Sequence, residues 1–173
     1  MLFILLFFAS SVFSKTIVHI VLHSHNDAGW RIPVSSYYES SVKKILNTMI
    51  DQLSNKSDLK YTWCETIFLK MYLDQYPSQK PKLIKLLQNQ QLEIVGGGWV
   101  QNDEALPDFD LVLRQMRMGL QYLKDELNVS SVKVGWQLDS FGHSSLTAAL
   151  WEKMGFEELV FSRVEEKFRV RET

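Results

Sequence analysis

Cysteine is nearly absent from this sequence of 173 residues, in which Cys64 is the only one. No internal disulfide framework can form, and a zinc site built from paired cysteines is excluded. A metal site would therefore have to use histidine and carboxylate groups. These nitrogen and oxygen ligands suit zinc or a similar divalent ion.

An excess of charge of one sign is also lacking. The chain has 19 Lys and Arg against 20 Asp and Glu, a formal net charge of −1, and its cations are scattered. No basic stripe would attract a phosphate backbone, so we expect no nucleic-acid partner. With 46% hydrophobic residues, the composition is that of one globular domain with a substantial core, and nothing in it specifies an oligomeric state.

No apolar run is long enough to cross a bilayer, which takes roughly 20 residues. The most apolar stretch, Met1 to Phe13, is followed by small residues that a signal peptidase could read. Residues 1–14 are therefore predicted to be a secretory signal peptide, with a retained anchor as the alternative. After its removal we expect no stable membrane span. Sequons at Asn55 and Asn128 fit a chain that enters the secretory pathway.

Two kinds of apolar pattern alternate along the rest of the chain. Short β-branched or aromatic runs predict strands, and apolar residues spaced three and four apart predict amphipathic helices. The predicted strands are residues 16–22, 61–64, 92–95, 132–138 and 158–161, and the predicted helices are residues 42–53, 67–76, 81–90, 107–127 and 146–154. Asp108 is predicted to cap the longest helix, Gly155 is predicted to end the last one, and the glycines at 96–98 are predicted to take positive φ after the third strand. About five βα units indicate an α/β fold with a parallel sheet, open or closed into a barrel.

Two dense polar clusters fall where predicted strands end. HSHNDAGW, residues 23–30, follows the first strand, and in an extended stretch His25 and Asp27 point to the same side. GWQLDSFGHS, residues 135–144, delivers Asp139 at the end of the fourth strand. Because the carboxyl ends of parallel strands meet at one edge, we expect these groups to share one metal ion.

Each candidate ligand also has a purely structural interpretation. Asp139 could cap a helix or accept a strand-end hydrogen bond, and the segment from His25 to Asp27 could be a polar loop satisfied by backbone groups. Next to a cation, however, Asp139 would stay ionised in acidic solution, where it could act as a nucleophile.

Further candidates lie at the same predicted edge. Trp30 and Phe141 could stack on a sugar or simply fill the core, and Arg163 could bind a hydroxyl or a carboxylate. Residues that could orient the ligands, or else serve as ordinary loop and strand groups, are His23, Glu65, Asp103, Glu104 and His143. We expect His143 to hydrogen-bond within its own turn.

Three motifs in register indicate a family. HSHNDAGW, GGGWVQNDEA and GWQLDSFGHS, in this order and at these separations, resemble the N-terminal catalytic domain of glycoside hydrolase family 38, the retaining α-mannosidases. The resemblance implies that residues 15–173 are the N-terminal part of a parallel (β/α)7-barrel-like α/β domain. It also implies that the chain is a truncated piece of that domain with little activity alone.

The resemblance implies a chemistry as well. His25, Asp27 and Asp139 would bind one zinc ion, and Asp139 would be the nucleophile of a two-step displacement with retention. The substrates would be mannose-containing oligosaccharides or glycoproteins of the N-glycan type. The residues implied to contact mannose are Trp30, Phe141 and Arg163.

The sequence departs from the family pattern in two respects. Ser140 stands where the family has proline, directly after Asp139. The acid/base aspartate and a further zinc-binding histidine are expected in segments beyond these motifs. Within the family, the leader without a stem and the triplet from Asn102 to Glu104 resemble the lysosomal or vacuolar branch more than the Golgi branch.

Two other functions fit the same residues. A metal-dependent polysaccharide deacetylase also places histidine and aspartate at strand ends, but it uses metal-bound water and forms no glycosyl intermediate. A non-catalytic, secreted mannose-binding module would keep only the groups that contact the sugar.

Overall fold

The computed structural model describes residues 17–163, in which helices and strands alternate, so the predicted α/β class is confirmed. The described strands are β1 (Tyr61–Trp63), β2 (Leu92–Ile94), β3 (Val134–Gln137) and β4 (Glu158–Phe161). The described α-helices are α1 (Val34–Tyr37), α2 (Lys43–Asn55), α3 (Thr66–Gln75), α4 (Lys80–Gln88), α5 (Phe109–Leu127) and α6 (Ser145–Met154). A π-helical turn, Tyr38–Val42, joins α1 to α2, and a 3-10 turn, Pro77–Gln79, leads into α4.

The described strands form two parallel pairs in chain order. β1 pairs with β2, with Tyr61 opposite Leu92, and β3 pairs with β4, with Val134 opposite Glu158. A hydrogen bond from Gly96 N to Val134 O, 2.8 Å long, joins the end of β2 to β3. Within each pair the carboxyl ends lie at the same edge, which is where the predicted polar clusters begin.

The prediction of a first strand at residues 16–22 is wrong for the residues of that range that the structure describes, 17–22. Residues 17–22 form no regular strand, and Ile20 is 82% exposed instead of buried on both faces. A β-branched run becomes a strand only where a neighbour can bond to it. Among the described residues that contact comes at its end, where Thr62 N of β1 donates to Leu22 O at 2.8 Å.

The core lies mainly among α2, α3, α4 and α5. Completely buried residues at the spacing predicted for an amphipathic face include Val42, just before α2, and Leu46 within it. Phe68 of α3, Leu83 of α4 and Leu123 of α5 belong to the same cluster, and none of them is exposed. Burial of side chains of this size stabilises the fold by about 1.5–3 kcal/mol each.

The ends of the two C-terminal helices confirm the predicted capping residues. Asp108 precedes α5, and its Oδ1 atom accepts a hydrogen bond from Leu111 N at 2.9 Å. Gly155 follows α6 with a φ of 91°, a left-handed conformation that suits glycine. These termini were predictable because capping depends on local chemistry.

The segments relevant to the secretory pathway are only partly described. The predicted signal peptide, residues 1–14, lies outside the described residues. From residue 17 to residue 163, no helix combines the length and the apolar character needed to cross a membrane. Both sequon asparagines are exposed, Asn55 at the last position of α2 and Asn128 directly after α5.

The glycine run after β2 allows α5 to approach the strand end closely. Gly96 and Gly97 have φ values of 65° and 72°, as the sequence predicted. Gly119 of α5 faces this run, and a Cβ atom added there would lie 2.6 Å from Trp99 N and closer still to backbone atoms of Gly97 and Gly98. The backbone of α5 at Gly119 therefore packs directly against the backbone of Gly97 and Gly98, and this contact fixes the start of the loop after the glycine run.

Replacing Gly119 with alanine should destabilise the protein, although alanine is normally favoured over glycine in a helix by about 1 kcal/mol. The added methyl group must displace the backbone after β2, and such overpacking costs about 1–3 kcal/mol. Urea unfolding measures the change, with Gln121→Ala on the exposed side of α5 as the control, expected within about 0.5 kcal/mol of the unaltered chain. Equal or higher stability of Gly119→Ala would contradict the close packing.

Candidate active site

Three potential metal ligands from distant parts of the chain converge beyond the strand ends. His25 Nε2 lies 2.8 Å from Asp27 Oδ1 and 3.5 Å from Asp139 Oδ2. One ligand atom from each of the three side chains lies within 4.8 Å of the others. The structure thus brings together the two clusters that the sequence predicted to be neighbours.

The burial of Asn26 explains why His25 and Asp27 face the same way. Asn26 is 2% exposed, whereas the side chains of His25 and Asp27 are 24% and 41% exposed. Successive side chains in an extended stretch point to opposite sides. With Asn26 turned inward, both candidate ligands are turned toward Asp139.

Asp139 is held by a cation from the end of the next strand. Arg163 Nε donates to Asp139 Oδ1 at 2.9 Å, and a second guanidinium nitrogen donates to the same oxygen. These hydrogen bonds hold the pKa of Asp139 below the ordinary value for an aspartate, because they favour its charged form. The pairing with Arg163 therefore favours the ionised carboxylate, and its other oxygen, Oδ2, faces His25.

Two exposed aromatic residues follow the candidate ligands in the chain. Phe141 is 52% exposed, and the guanidinium carbon of Arg163 lies 4.4 Å from the centre of its ring. Trp30 is 70% exposed, with Arg31 stacked 4.3 Å from its ring centre. The alternative that these rings fill the core is therefore wrong for both.

The loop after the glycine run holds the turn that follows Asp139. Asp103 Oδ1 accepts a hydrogen bond from Phe141 N at 2.8 Å, and Glu104 Oε2 accepts one from Ser144 N at 2.7 Å. The carbonyl oxygen of Phe141 in turn accepts from Glu104 N at 2.8 Å. Asp103 and Glu104 are therefore tied to the backbone of this turn and are not free loop acids.

Ser140 is buried within the same turn and stabilises it by a hydrogen bond. Its hydroxyl donates to Gln137 Oε1 at 2.6 Å, and Gln137 Nε2 donates to the carbonyl of Asn102 at 3.3 Å. Ser140 and Gln137 are 3% and 2% exposed. A hydrogen bond between side chains thus restrains the residue after Asp139, at the position where the resemblance led us to expect proline. The sequence interpretation missed Gln137, since one glutamine in a strand carries no local signal.

His23 and His143 connect neighbouring strand ends. His143 Nε2 lies 2.9 Å from the carbonyl oxygen of Ser162, just after β4, so the expectation that it bonds within its own turn is wrong. Its ring also lies 5.6 Å from that of Phe161. The ring of His23 packs edge-on against Trp136 of β3, with the ring centres 5.3 Å apart.

Asn26 and Glu65 form a buried pair that the sequence interpretation did not recognise. Asn26 N donates to Glu65 Oε1 and Asn26 Nδ2 to Glu65 Oε2, each at 3.2 Å. Burial raises the pKa of Glu65, while the hydrogen bonds from Asn26 oppose that rise. The alternative of a solvated loop acid is wrong for Glu65, which is 0% exposed. The sequence feature that could have indicated a role for Glu65 is its position just after β1.

The donor set of the cluster fits a divalent metal ion. One imidazole nitrogen and two carboxylates are typical ligands of zinc, and ligand atoms around a tetrahedral zinc ion with bonds of about 2 Å are separated by roughly 3.3 Å. The distance of 3.5 Å between His25 Nε2 and Asp139 Oδ2 is close to that value. The 2.8 Å between His25 Nε2 and Asp27 Oδ1 is a hydrogen-bond distance, and it would lengthen by about 0.5 Å if both atoms bound one ion. His25 Nε2 is the nitrogen that faces the cluster, as its contacts with Asp27 and Asp139 show, and Nδ1 is buried without a hydrogen-bond partner among the described residues.

Comparison with solved structures defines the class of fold. An alpha-mannosidase from Enterococcus faecalis V583 matches 82% of this chain with a TM-score of 0.72 and 23% sequence identity, and the match covers 16% of that protein. The described chain therefore has the α/β fold of part of that alpha-mannosidase, with its candidate site at the strand ends.

Sequence comparison then identifies the family. The profile of the glycosyl hydrolases family 38 N-terminal domain matches residues 15–169, and the chain belongs to this family. Alpha-mannosidase C of Dictyostelium discoideum is 39% identical over 88% of this chain, and Alpha-mannosidase 2 of Arabidopsis thaliana is 40% identical over 86%. The chain spans only 14% and 13% of the lengths of these relatives.

Replacing Asp103 with alanine should loosen the turn after Asp139, because Phe141 N loses its acceptor. We expect the Phe141 amide to exchange with deuterium about five to ten times faster, since such a hydrogen bond contributes about 1 kcal/mol. Asp110→Ala, which removes only an exposed ion pair with Arg114, is the control and should leave this amide unaffected. Unchanged Phe141 exchange in Asp103→Ala would contradict the role of the carboxylate.

Proposed function

We propose that this chain carries the metal-binding and nucleophilic part of the active site of a zinc-dependent, retaining α-mannosidase. The convergence of His25, Asp27 and Asp139 supports the proposal most strongly. The substrates would be terminal α-linked mannose residues of N-glycan-type oligosaccharides or glycoproteins. Because the chain spans 14% and 13% of its two named relatives, this activity is proposed for a complete active site, including the acid/base group that the resemblance implies.

The zinc ion would be held by His25 Nε2 and by one carboxylate oxygen from each of Asp27 and Asp139. When bound, zinc would polarise mannose hydroxyl groups and favour distortion of the ring toward an oxocarbenium-like state. The negative charge of two neighbouring carboxylates supports binding of a divalent cation at this position. Arg163 partly offsets that charge through its pairing with Asp139.

Asp139 is the proposed nucleophile. A bond forms between one of its oxygens and the anomeric carbon of mannose while the bond from that carbon to the leaving oxygen breaks, and an acid group supplies the proton to that oxygen. Water then attacks the same carbon and gives a proton to the group that acted as acid in the first step, while the bond from that carbon to Asp139 breaks; mannose leaves with retained configuration, and both groups are regenerated. Support comes from the pKa of Asp139, which Arg163 lowers, so that the group is ionised for attack.

The residues proposed to contact the sugar are Trp30, Phe141 and Arg163. Both rings are exposed, so their faces are available to pack against sugar C–H groups, and the guanidinium offers several donors for hydroxyl oxygens. The residues proposed to hold this arrangement by hydrogen bonding and packing are His23, Asp103, Glu104 and His143.

We also propose a (β/α)7-barrel-like catalytic domain in a protein of the secretory pathway. Parallel pairing in chain order is typical of such barrels and supports the first proposal. The leader at residues 1–14 and the exposed sequons at Asn55 and Asn128 support a secreted glycoprotein. A lysosomal, vacuolar or extracellular location is proposed in preference to a Golgi one because the triplet from Asn102 to Glu104 resembles the lysosomal or vacuolar branch.

Replacing His25 or Asp27 with alanine should weaken zinc binding, because each change removes one of three converging ligands. Calorimetric titration with Zn²⁺ measures the dissociation constant, which we expect to rise more than about 100-fold, beyond the range typical for groups outside the ligand set. His19→Ala, at an exposed position, is the control. Zinc binding as tight as in the unaltered chain, in either variant, would count against the ligand assignment.

Asp139→Asn should abolish covalent labelling by a fluorinated mannosyl fluoride. Fluoride leaves without being protonated, so this first step depends on the nucleophile and not on the acid group. The test uses the protein with its complete catalytic domain, and peptide mass mapping should find the sugar on Asp139 in that protein and in its control variant Asp110→Asn.

A label on another carboxylate would contradict the assignment. No label in the protein with its complete catalytic domain would favour a deacetylase or a mannose-binding module, because neither forms a glycosyl intermediate.

A further inference from the structure

Glu65 is a fully buried carboxylate that none of the proposed catalytic steps uses. It directly follows β1 and is 0% exposed. Its carbonyl oxygen accepts a hydrogen bond from Trp63 Nε1 at 2.9 Å, and the N–H of the next residue, Thr66, bonds to Gly98 O at 3.1 Å. The Glu65 side chain therefore projects from a backbone position that is fixed on both sides.

Both carboxylate oxygens of Glu65 are engaged by Asn26. One accepts from the backbone N–H and the other from the side-chain amide, each at 3.2 Å. The same amide nitrogen of Asn26 also donates to Ser24 Oγ at 3.0 Å. Glu65 is buried and lies outside the cluster of His25, Asp27 and Asp139, and Asn26 is the residue that links it to this cluster by hydrogen bonds.

The stretch that carries the candidate ligands has limited support before Asn26. Residues 17–22 form no regular strand, and their apolar side chains are exposed. Support begins at Thr62 of β1, which bonds to the carbonyl of Leu22 and forms a bridge with His23. The contact between Glu65 and Asn26 comes three residues later, between the two candidate ligands themselves.

We infer that Glu65 is a positioning residue for the metal site, an inference that rests on the function proposed above. By holding Asn26 inward through two hydrogen bonds, Glu65 turns His25 and Asp27 outward toward Asp139. Adjacent side chains in an extended stretch face opposite ways, so fixing the middle residue fixes both neighbours. A buried carboxylate is tolerated only when it is hydrogen-bonded, and Asn26 satisfies both of its oxygens.

Glu65→Gln in the full chain tests the inference. The substitution keeps the size of the side chain but removes its charge and one of its two acceptors, so the two charge-assisted hydrogen bonds from Asn26 are replaced by weaker neutral ones. Without metal, the backbone N–H of Asn26 should exchange with deuterium about five to ten times faster than in the unaltered chain. With Zn²⁺, the dissociation constant should rise about 10- to 100-fold, as when groups that orient metal ligands are removed.

Gln91→Glu is the matched control, because it exchanges an amide for a carboxylate of equal size in the reverse direction. Gln91 is 7% exposed, and its Nε2 atom donates to the carbonyls of Leu53 and Lys56 at 2.8 and 3.0 Å. It precedes β2 and so lies at the amino end of the strands, opposite the site. The control should lower the midpoint of thermal unfolding and leave the zinc dissociation constant unchanged.

A second variant covers the case in which Glu65→Gln does not fold. Combining Asn26→Asp with Glu65→Gln reverses donor and acceptor and restores a complementary side-chain pair. Slow amide exchange at residue 26 should then return, and failure to return would overturn the inference.

Unchanged exchange and unchanged zinc affinity in Glu65→Gln would also overturn it, as would an equal loss of zinc affinity in Gln91→Glu. Absence of zinc binding by the unaltered chain would instead overturn the proposed metal site. Exchange at residue 26 would still decide whether Glu65 holds this stretch in place.

Discussion

Parallel pairing of strands in chain order is the constraint on which the candidate site depends. It gathers the carboxyl ends of β1 and β2 at one edge, and those of β3 and β4 likewise. A parallel bridge from His23 to Thr62 of β1 places the first polar cluster beside this edge, so that His25 and Asp139 become neighbours although they are distant in sequence. A slip of one residue along a strand displaces a side chain by about 3.3 Å and turns it to the other face. Because that displacement is as large as the separation of 3.5 Å between His25 and Asp139, the register of the sheet determines whether the site exists.

The electrostatics of the cluster impose a second requirement. Two carboxylates brought close together repel each other, so such a site needs positive charge nearby, from a protein cation or a bound metal ion. In the described chain Arg163 pairs with Asp139, and His25 hydrogen-bonds Asp27. Buried polar groups then hold the backbone on either side, with Glu65 behind the first cluster and Ser140 inside the turn of the second. Exposed ligands are thus supported by buried hydrogen bonds.

Sequence patterns predicted those features that depend on local chemistry. Amphipathic spacing located the helices, Asp108 and Gly155 marked helix ends, and the order of strands brought the two polar clusters together. Predictions failed where the outcome depends on distant partners. Residues 17–22 have strand-forming side chains but little to pair with among the described residues, and His143 bonds to a carbonyl beyond β4. The burial of Glu65 could not be predicted, since the sequence around a single acid after a strand is the same whether its side chain is solvated or buried.

Zinc binding by the converging side chains is tested most directly by anomalous X-ray diffraction at the zinc absorption edge, from crystals of the chain grown with Zn²⁺. We predict one ion about 2.0–2.2 Å from His25 Nε2 and from a carboxylate oxygen of both Asp27 and Asp139. An ion bound elsewhere would contradict this, as would an ion held by His25 and Asp27 while Asp139 stays paired with Arg163 beyond coordination distance.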